Sequence, residues 1–531
     1  MDIAPDTAPL NTAKAYLVGG GIAALASAAY LIRDGGLAGE NIQIFEEGLL
    51  LGGSLDGAGS PATGYTLRGG RMLTYEAYTC LFDLLNFIPS LNDLGTSVKD
   101  EIDDFNQWNV SDAKARLVAG GKILDAADLG LSIKDRLDLV TIMAASEDSL
   151  GAQRIEATFQ PSFFKTHFWM MWSTTFAFQP WHSAVELRRY LHRFIQELPR
   201  IHTLGGVRRT PYNQYDSIVR PLVQWLTEMG VRFSTTTRVT DLTFGYGARG
   251  KQVRHIHHLS DDGADVTTIG PDDLVFVTNG SMTDASGFGS MTTPAPLRTG
   301  KGGGWTLWET LAAANADFGR PAAFDGRIDE SKWLSFTVTV RDPAFFDLME
   351  AFTGNAAGTG GLVTFTDSSW LMSIVLAAQP HFIDQPDNVQ VFWGYGLFVD
   401  AIGDFVNKPM SDCTGEELMI ELLGHLRFEA HQDQILRSAI CIPCMMPFIT
   451  SQFMPRIKGD RPLVRPVGTT NFAFIGQFCE IPDDVVFTVE YSVRSAQTAV
   501  YSVLGLETKV SPLYKGDHDP AVLFGVAKAL V

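Results

Sequence analysis

Cysteine is scarce in this sequence, with five residues among 531. Folds that depend on disulfides are rich in cysteine, and the acidic, proline-containing N-terminus lacks the basic region of a secretory leader. We therefore expect reduced thiols and a cytoplasmic protein. Cys441 and Cys444 form a C-x-x-C pair, but no second pair accompanies them. We interpret them as structural thiols rather than a zinc or redox site, and we predict no metal.

Positive charge is also sparse, because 41 lysines and arginines stand against 60 aspartates and glutamates, a formal net charge of −19. This balance argues against nucleic acid as a partner and allows at most weak peripheral contact with an acidic membrane surface. The run from Ala15 to Ile32 carries no charge, as a membrane span would. Its three consecutive glycines and the acid-tipped strand that follows favour a buried helix of an α/β fold instead.

What the sequence does contain is a dinucleotide-binding unit near its N-terminus. Ala15 to Val18 is predicted to be a strand, followed by a glycine turn and a helix to about Arg33. A second strand, Asn41 to Phe45, ends in Glu46, about 25 residues after the turn, near the usual place of a ribose-binding acid. Glycines at such a turn let the backbone approach a pyrophosphate. The turn residues are Gly19, Gly21 and Ala24.

A second glycine pair follows the acidic residue and favours FAD over NAD as the cofactor. Two later strands, near residues 272–279 and 471–477, each end in glycine and are expected to return to the cofactor. We therefore predict an α/β protein with a discontinuous Rossmann-like FAD-binding domain made of residues 12–96, 205–300 and 450–505. The further cofactor-binding positions predicted are Gly52, Gly53, Ser54, Arg71, Asn279, Gly280, Ser281, Gly476 and Thr488.

Arg68 and Arg71 flank a tight Arg-Gly-Gly-Arg turn between a strand and a helix predicted over 73–87. A turn of this kind beside a nucleotide loop is a natural edge for an active site. The alternative, that both arginines only pair with acids, is equally compatible with the sequence.

The rest of the chain divides by composition. Residues 97–204 are predicted to form a helical lid whose aromatic part, 159–194, is either core or the wall of a pocket for a long apolar ligand. Within it, Tyr190 follows two arginines, and nearby cations would favour its phenolate. Alternating apolar runs predict a β-rich substrate domain over 301–449. The tail, 506–531, includes a short apolar helix that docks on the protein or touches a membrane surface.

Several longer strings resemble the oleate hydratase family, FAD-dependent fatty acid hydratases once called myosin-cross-reactive antigens. They include LVGGGIAALASAAYLIRDG, LGGSLDG, FWMMWSTTFAFQPWHSAVELRRY, YNQYDS and IGQFCEIPDDVVFTVEYSVR. The resemblance spans roughly 15–504. It implies addition of water to the cis double bond of an unsaturated fatty acid, oleate to 10-hydroxystearate in the usual case. It also implies a flavin whose role is structural and electrostatic, without net redox change.

The resemblance also implies roles for individual residues. Tyr190 stands at the position of the tyrosine that protonates the alkene, and Gln214 and His381 match residues that hold the fatty acid carboxylate. Met72 departs from the family, because many members have a glutamate there that orients the attacking water. A thioether cannot act as a base, so a backbone carbonyl, Glu76 or the reduced flavin is left for that role.

Further departures concern the carboxylate end, where Val375 and Ala377 replace an expected threonine and asparagine. Both termini are short for the family, which favours a monomer over a homodimer. Two other functions stay open: a flavin-dependent lipid oxidoreductase or double-bond isomerase, and a non-catalytic protein that binds lipid and flavin.

Overall fold

A computed structural model describes residues 13–70, 72–247 and 250–530. The strands, in chain order, are β1 Ala15–Val18, β2 Ile42–Phe45, β3 Gly57–Ser60, β4 Gly64–Leu67, β5 Leu117–Ala119, β6 Lys122–Ile123, β7 Arg232–Ser234, β8 Arg238–Gly247, β9 Gly250–Ser260, β10 Gly263–Thr268, β11 Leu274–Thr278, β12 Gly287–Phe288, β13 Trp333–Val340, β14 Val363–Phe365, β15 Ser373–Val375, β16 Gln390–Gly396, β17 Ala439–Met446 and β18 Phe472–Ile475.

The α-helices are α1 Ile22–Arg33, α2 Thr79–Leu85, α3 Val98–Trp108, α4 Ile133–Ala144, α5 Glu147–Leu150, α6 His167–Phe176, α7 Ala184–Arg193, α8 Arg220–Glu228, α9 Gly303–Ala314, α10 Ala322–Asp325, α11 Ile328–Ser331, α12 Ala344–Thr353, α13 Gly415–Leu426, α14 Gln432–Ser438, α15 Val489–Leu504 and α16 Pro520–Leu530. Within the described ranges, none of these helices is both long and apolar enough to cross a bilayer.

Five parallel strands form the first sheet, in the order β18–β11–β1–β2–β7. Their apolar residues are buried on both sides, as expected when helices cover both faces of a parallel sheet. Helix α1 packs against α15, which follows the last strand. The sheet therefore combines strands from three distant parts of the chain, and the predicted α/β class with a Rossmann-like sheet is confirmed.

The second large sheet has eight strands in the order β12–β17–β13–β16–β15–β14–β5–β6, antiparallel except between β14 and β5. Its central strand β13 is buried at every residue. The short strand β4 is tied to β13 through side chains, because the backbone N–H groups of Tyr65 and Leu67 donate to the hydroxyls of Thr339 (2.9 Å) and Thr337 (3.0 Å). This link places the turn after β4 between the two sheets.

One predicted helix is shorter than its apolar spacing indicates. The helix predicted over 73–87 is only α2, because the backbone of Leu73 instead pairs with that of Arg208 in an isolated bridge. Helix α8 is preceded by one π-helical turn, Tyr215–Val219. At the start of α15, the hydroxyl of Thr488 caps the helix by accepting from the N–H of Tyr491.

Candidate functional site

The two glycine turns predicted to bind a nucleotide lie against each other. Gly21 precedes α1 and forms a bridge with Gly52, and the N–H of Gly52 donates to the carbonyl of Gly20 at 2.9 Å. Gly53 has a positive φ of 57°, and a Cβ there would lie 3.1 Å from the Cα of Gly21. Side chains are therefore excluded from this contact, as the close approach of a backbone to a pyrophosphate requires.

Glu46 ends β2 beside these turns, as the sequence predicts. Its carboxylate accepts hydrogen bonds from the N–H groups of Gly20 and Gly48, each at 2.6 Å. Ala24 is fully buried in α1, where its small side chain allows the helix to pack closely on the sheet. Ser54 lies in the short 3₁₀ turn that follows Gly52.

The carboxyl ends of β1, β11 and β18 meet at Thr278. Its side chain leaves little room for a Cβ at Gly19 or Gly476, because an added Cβ would lie 3.0 or 3.2 Å from it, respectively. The Oγ1 of Thr278 and the Oδ1 of Asn279 are buried without a hydrogen-bond partner among the described residues. Gly280 and Ser281 follow directly. Unsatisfied buried oxygens beside a glycine turn fit a ligand that supplies donors, such as the ribose hydroxyls of a dinucleotide.

Of the two turn arginines, Arg68 pairs with Asp56 at 2.6 Å and also donates to the carbonyls of Gly53 and Thr283. It thus fixes the second glycine turn to the chain beyond β11. Arg71, predicted to bind the cofactor, lies outside the described residues.

Three adjoining cavities run from this turn between the two sheets. Gly70 lines all three, which we name by their residues. The His381 cavity contains His381, Arg209 and Gln214, and the Tyr190 cavity contains Tyr190, Met72 and Glu197. The middle cavity shares Arg209 with the first and Met72 with the second. Its other lining residues are mostly apolar or aromatic: Gly69, Thr174, Thr175, Ala177, Trp333, Leu362, Val375, Trp393, Tyr395 and Phe487.

Tyr190 is buried on α7 among the aromatic residues that the sequence places near it. The rings of Phe176, Phe178, Phe194 and Phe453 lie with their centroids 4.9 to 5.7 Å from its own. Its phenol donates a 2.5 Å hydrogen bond to the carbonyl of Val486. The aromatic stretch therefore serves both as core and as the wall of the Tyr190 cavity.

The prediction that the preceding arginines favour a phenolate at Tyr190 is wrong. Burial raises the pKa of Tyr190 well above its usual value, and the nearby Tyr78, Glu186 and Asp484 raise it further. Arg189 instead pairs with Glu147 and Glu480, each at 2.7 Å. Consecutive residues of a helix do not face one another, so the charges point away from the phenol. Tyr190 is therefore held as a neutral acid.

Met72 and Glu76, both predicted to lie at the site, separate in the structure. Met72 lines the middle and Tyr190 cavities, whereas Glu76 is exposed and its carboxylate faces Arg200 at 3.4 Å. Glu76 does not line any of the three cavities.

The carboxylate that does line the Tyr190 cavity is Glu197, which the sequence analysis missed. Glu197 lies in the 3₁₀ helix Ile195–Arg200 that continues α7, and the spacing of Tyr190, Phe194 and Glu197 is the signal that could have revealed it. Arg200 holds both of its oxygens, at 2.6 and 2.9 Å. Burial raises the pKa of Glu197, an effect that Arg200 only partly offsets. Nearby, the hydroxyl of Thr74 is buried without a partner among the described residues.

Gln214 and His381, predicted to bind the carboxylate, meet in the His381 cavity. The backbone of His381 is held by Asn213, whose N–H and side-chain amide donate to its carbonyl at 2.8 and 2.9 Å. Burial and the charge of Arg209 lower the pKa of His381 to about 4, so its imidazole is neutral at physiological pH. The Oε1 of Gln214 is buried without a described partner. Val375 and Ala377 add only apolar surface.

A possible metal-ligand group lies away from these cavities. Asp404, Glu421 and His425 have ligand atoms within 4.8 Å of one another. The carboxylate of Glu421, however, already accepts the backbone N–H groups of residues 404–406 at 2.7 to 2.8 Å. We interpret the group as a clamp for that loop. The five cysteines are buried and unpaired, and burial raises the pKa of both C-x-x-C thiols, as for structural residues.

The chain is 41% identical over 518 residues to an oleate hydratase of Streptococcus pyogenes serotype M49, covering 95% of this chain and 88% of the relative. It is 34% identical over 565 residues to a linoleate hydratase of Lactiplantibacillus plantarum, covering 97% and 98%.

Two solved structures share the fold at 13% sequence identity. One is an oxidoreductase from Methanosarcina mazei, with a TM-score of 0.50 and coverage of 93% of this chain and all of the other. The other is cyclohexylamine oxidase from Brevibacterium oxydans, with a TM-score of 0.51 and coverage of 93% and 99%. The family model described as "MCRA family" matches residues 12–501, and the chain therefore belongs to the MCRA family.

Proposed function

We propose that this protein hydrates the cis double bond of unsaturated fatty acids, converting oleate to 10-hydroxystearate. The observation that carries the proposal is a set of adjoining, largely apolar cavities with a buried neutral phenol at one end and polar groups at the other. A long-chain acid fits such a shape, with its polar end near His381 and its double bond near Tyr190. The names of the two curated relatives support the same reaction.

We propose FAD as the cofactor, held by the paired glycine turns, Glu46, and the strand ends at Asn279 and Gly476. The exclusion of side chains between Gly21 and Gly53 and the unsatisfied oxygens of Thr278 and Asn279 support this assignment. Bound FAD would supply an electrostatic wall to the cavity, and its net oxidation state would not change. Arg71 and Thr488 are the further cofactor-binding residues predicted from the sequence, and Thr488 lines the Tyr190 cavity.

Tyr190 is proposed as the proton donor. An isolated alkene is a weak base, so the acid must be close, correctly oriented and shielded from bulk water. The phenol proton would go to one alkene carbon, and water would add to the carbocation developing at the other. The proton released by that water is taken up by a base, for which Glu197 is proposed below, and is then passed to the phenolate, so that both groups are restored and the reaction is balanced without a redox partner. A raised pKa keeps the phenol protonated beforehand and makes the phenolate a strong base afterwards.

Glu197, assisted by Thr74, is proposed to hold and deprotonate the attacking water. Met72 offers no acceptor able to take a proton, and Glu76 is exposed outside the cavities. Glu197 instead shares a cavity with Tyr190, and its raised pKa suits a base that works near neutral pH. The unsatisfied hydroxyl of Thr74 would supply a second hydrogen bond to the water.

The test is to incubate the FAD-loaded, reduced protein with oleate in ¹⁸O-labelled water and to analyse the product by mass spectrometry. Hydration predicts a hydroxystearate carrying one labelled oxygen, with no uptake of O₂. Oxygen consumption or a shifted double bond would replace this proposal with the oxidoreductase or isomerase function. Oleate that binds and is recovered unchanged would favour the non-catalytic function.

A further inference from the structure

We propose that Arg209 is the counter-ion that binds the carboxylate of the substrate, so that this protein recognises the acid end of the chain by charge. This inference rests on the proposed function, because it names the group that holds the end of the fatty acid remote from Tyr190.

The guanidinium of Arg209 is unpaired on one edge. The Nε and Nη2 atoms of Arg209 are buried and have no hydrogen-bond partner among the described residues. These two nitrogens carry parallel N–H groups, the edge on which an arginine binds both oxygens of one carboxylate. A buried cation without a partner costs free energy, so an anion bound on this edge would be stabilising.

Among the described residues, no carboxylate forms an ion pair with Arg209. Burial alone lowers the pKa of Arg209, to about 10, so the side chain stays charged at neutral pH without help from a carboxylate. Asp56, which also lines the His381 cavity, pairs with Arg68 at 2.6 Å, and Asp216, which interacts with His381, pairs with Arg220 at 2.9 Å.

Arg116 provides an internal comparison, because burial also lowers its pKa to about 10. Its Nη1 donates to the hydroxyl of Thr364 at 2.8 Å, and its Nη2 donates to the hydroxyl of Thr175 and the carbonyl of Met171 at 2.8 and 2.9 Å. Both terminal nitrogens of this structural arginine are thus bound by oxygens of the protein itself, and only its Nε lacks a partner among the described residues. Arg209 lacks such a shell on its open edge, which points to a ligand.

The position of Arg209 also suits a bound carboxylate. The backbone of Arg209 is fixed by Asn106, whose amide oxygen and nitrogen bind its N–H and carbonyl at 3.0 and 2.8 Å. The side chain lines both the His381 and middle cavities. A carboxylate bound there would also lie near Gln214 and His381, while its hydrocarbon chain would extend through the middle cavity toward Met72.

The neutral groups around this site explain why a charge is needed. His381 is neutral at physiological pH, Gln214 is an amide, and Val375 and Ala377 add no hydrogen bonds. The only cation that lines the His381 cavity among the described residues is Arg209. The open edge of Arg209 would bind an anion. Besides the substrate carboxylate, an anionic reduced flavin could supply that charge, because Gly69 and Gly70, in the turn predicted to lie beside the nucleotide, line the same cavities.

The experiment compares Arg209→Met, Arg209→Lys and the control Arg208→Met in the FAD-loaded protein. Arg208 is adjacent in the chain, but its guanidinium lies over the ring of Tyr75, 5.4 Å from the ring centroid. Binding of stearate, which has no double bond, is measured by calorimetry and needs no turnover. We expect Arg209→Met to weaken stearate binding about 10- to 100-fold, the loss of a charged bidentate contact, and Arg208→Met to change it less than about twofold. Arg209→Lys should restore part of the loss.

Activity gives a second readout. For Arg209→Met, kcat/KM for oleate should fall by about the same factor, while kcat/KM for the neutral oleyl alcohol should change less than about threefold. Unchanged stearate binding, or equal losses for both substrates, would overturn the inference. A weaker FAD affinity or a shifted flavin potential with stearate binding intact would assign the charge to the flavin and also overturn it.

Failure of the proposed function is distinguishable from failure of this inference. If the wild-type protein binds stearate through Arg209 but leaves oleate unchanged, the carboxylate assignment stands and hydration is rejected. Folding of the variants is monitored by thermal unfolding, where Arg209→Met should be at least as stable as the wild type without ligand, because it removes an unpaired buried charge.

Discussion

The phenol of Tyr190 and the backbone carbonyl of Val486 are joined by a 2.5 Å hydrogen bond in a fully buried environment. The phenol is therefore positioned by the loop that precedes α15, a part of the Rossmann-like half of the protein. The residue after the carbonyl, Phe487, has a positive φ of 74° and also lines the Tyr190 cavity. The orientation of the phenol thus depends on a backbone that non-glycine residues rarely adopt.

Replacing Tyr190 by phenylalanine should abolish most hydration while retaining the fold. We expect kcat to fall by about 10²- to 10⁴-fold, the usual contribution of a positioned general acid. The free energy of unfolding should fall by about 1–3 kcal/mol, because the carbonyl of Val486 loses its hydrogen-bond donor. Turnover assays and thermal unfolding check both effects.

Tyr30→Phe is the matched control for this variant. Tyr30 is also buried, and its phenol also donates to a backbone carbonyl, that of Cys80, at 3.0 Å. A similar loss of stability with unchanged kcat is expected. Equal activity losses in the two variants would mean that Tyr190 acts through folding alone.

Glu197→Gln tests the proposed base. The amide keeps the size of the side chain but cannot accept a proton from water, so kcat should fall by about 10²-fold or more. The wild-type rate should rise with pH as Glu197 loses its proton, at a pH above that of an ordinary glutamic acid, since burial raises its pKa. Arg200 and Arg208 oppose that rise and Glu76 adds to it.

The pH–rate profile of the variant should lack this acidic limb. Glu76→Gln is the control, because Glu76 also pairs with Arg200 but is exposed. The kcat of this variant should stay within about threefold of the wild-type value. An acidic limb that survives in Glu197→Gln would remove Glu197 from the mechanism.

Met72→Glu is expected to give no increase in kcat at neutral pH, although it introduces the glutamate that the family resemblance implies at this position. A second carboxylate in the Tyr190 cavity would repel Glu197, which disfavours the ionised forms of both. The acidic limb of the rate profile should therefore move to higher pH. A large gain in kcat at neutral pH would show instead that only the carboxylate at position 72 was missing.

Gly53→Ala tests the nucleotide site. The new methyl group would lie 3.1 Å from the Cα of Gly21 and would separate the two glycine turns. We expect FAD affinity to fall at least about tenfold, measured from the flavin absorbance retained after dialysis.

Gly36→Ala separates this effect from backbone strain. Gly36 has a similar positive φ of 67°, but nothing lies within 4 Å of its added Cβ. Its variant should lose about 1 kcal/mol of stability and keep its flavin. Equal flavin loss in both variants would argue that strain, and not the contact, is responsible.

Much of the fold is predictable from local patterns. The first strand, the glycine turn and α1 follow from a short motif whose residues each have a steric reason, and the structure has them where the motif predicts. Helix α2 is shorter than predicted because Leu73 pairs with a residue 135 positions away in the chain, Arg208. Such tertiary pairing leaves no signal in the apolar spacing.

The site is only partly predictable for the same reason. A motif predicts Tyr190 as a site residue and the structure places it in a cavity wall, but its arginine neighbours do not act on the phenol, because adjacency in sequence is not contact on a helix. Glu197 and Arg209 are ordinary charged residues until their surroundings are known. The significance of Glu197 lies in its burial beside Met72, and that of Arg209 in two nitrogens that the protein leaves unpaired.

Helix α16 packs against residues 195–200, the segment that carries Glu197. Val526 is the one fully buried residue of this helix, Val522, Ala529 and Leu530 are partly buried against the core, and Phe524 is 75% exposed. Short elements with few buried residues open at a lower free energy than that of global unfolding. Opening of α16 would therefore uncover the segment that carries Glu197 and loosen the wall of the Tyr190 cavity while both sheets stay intact.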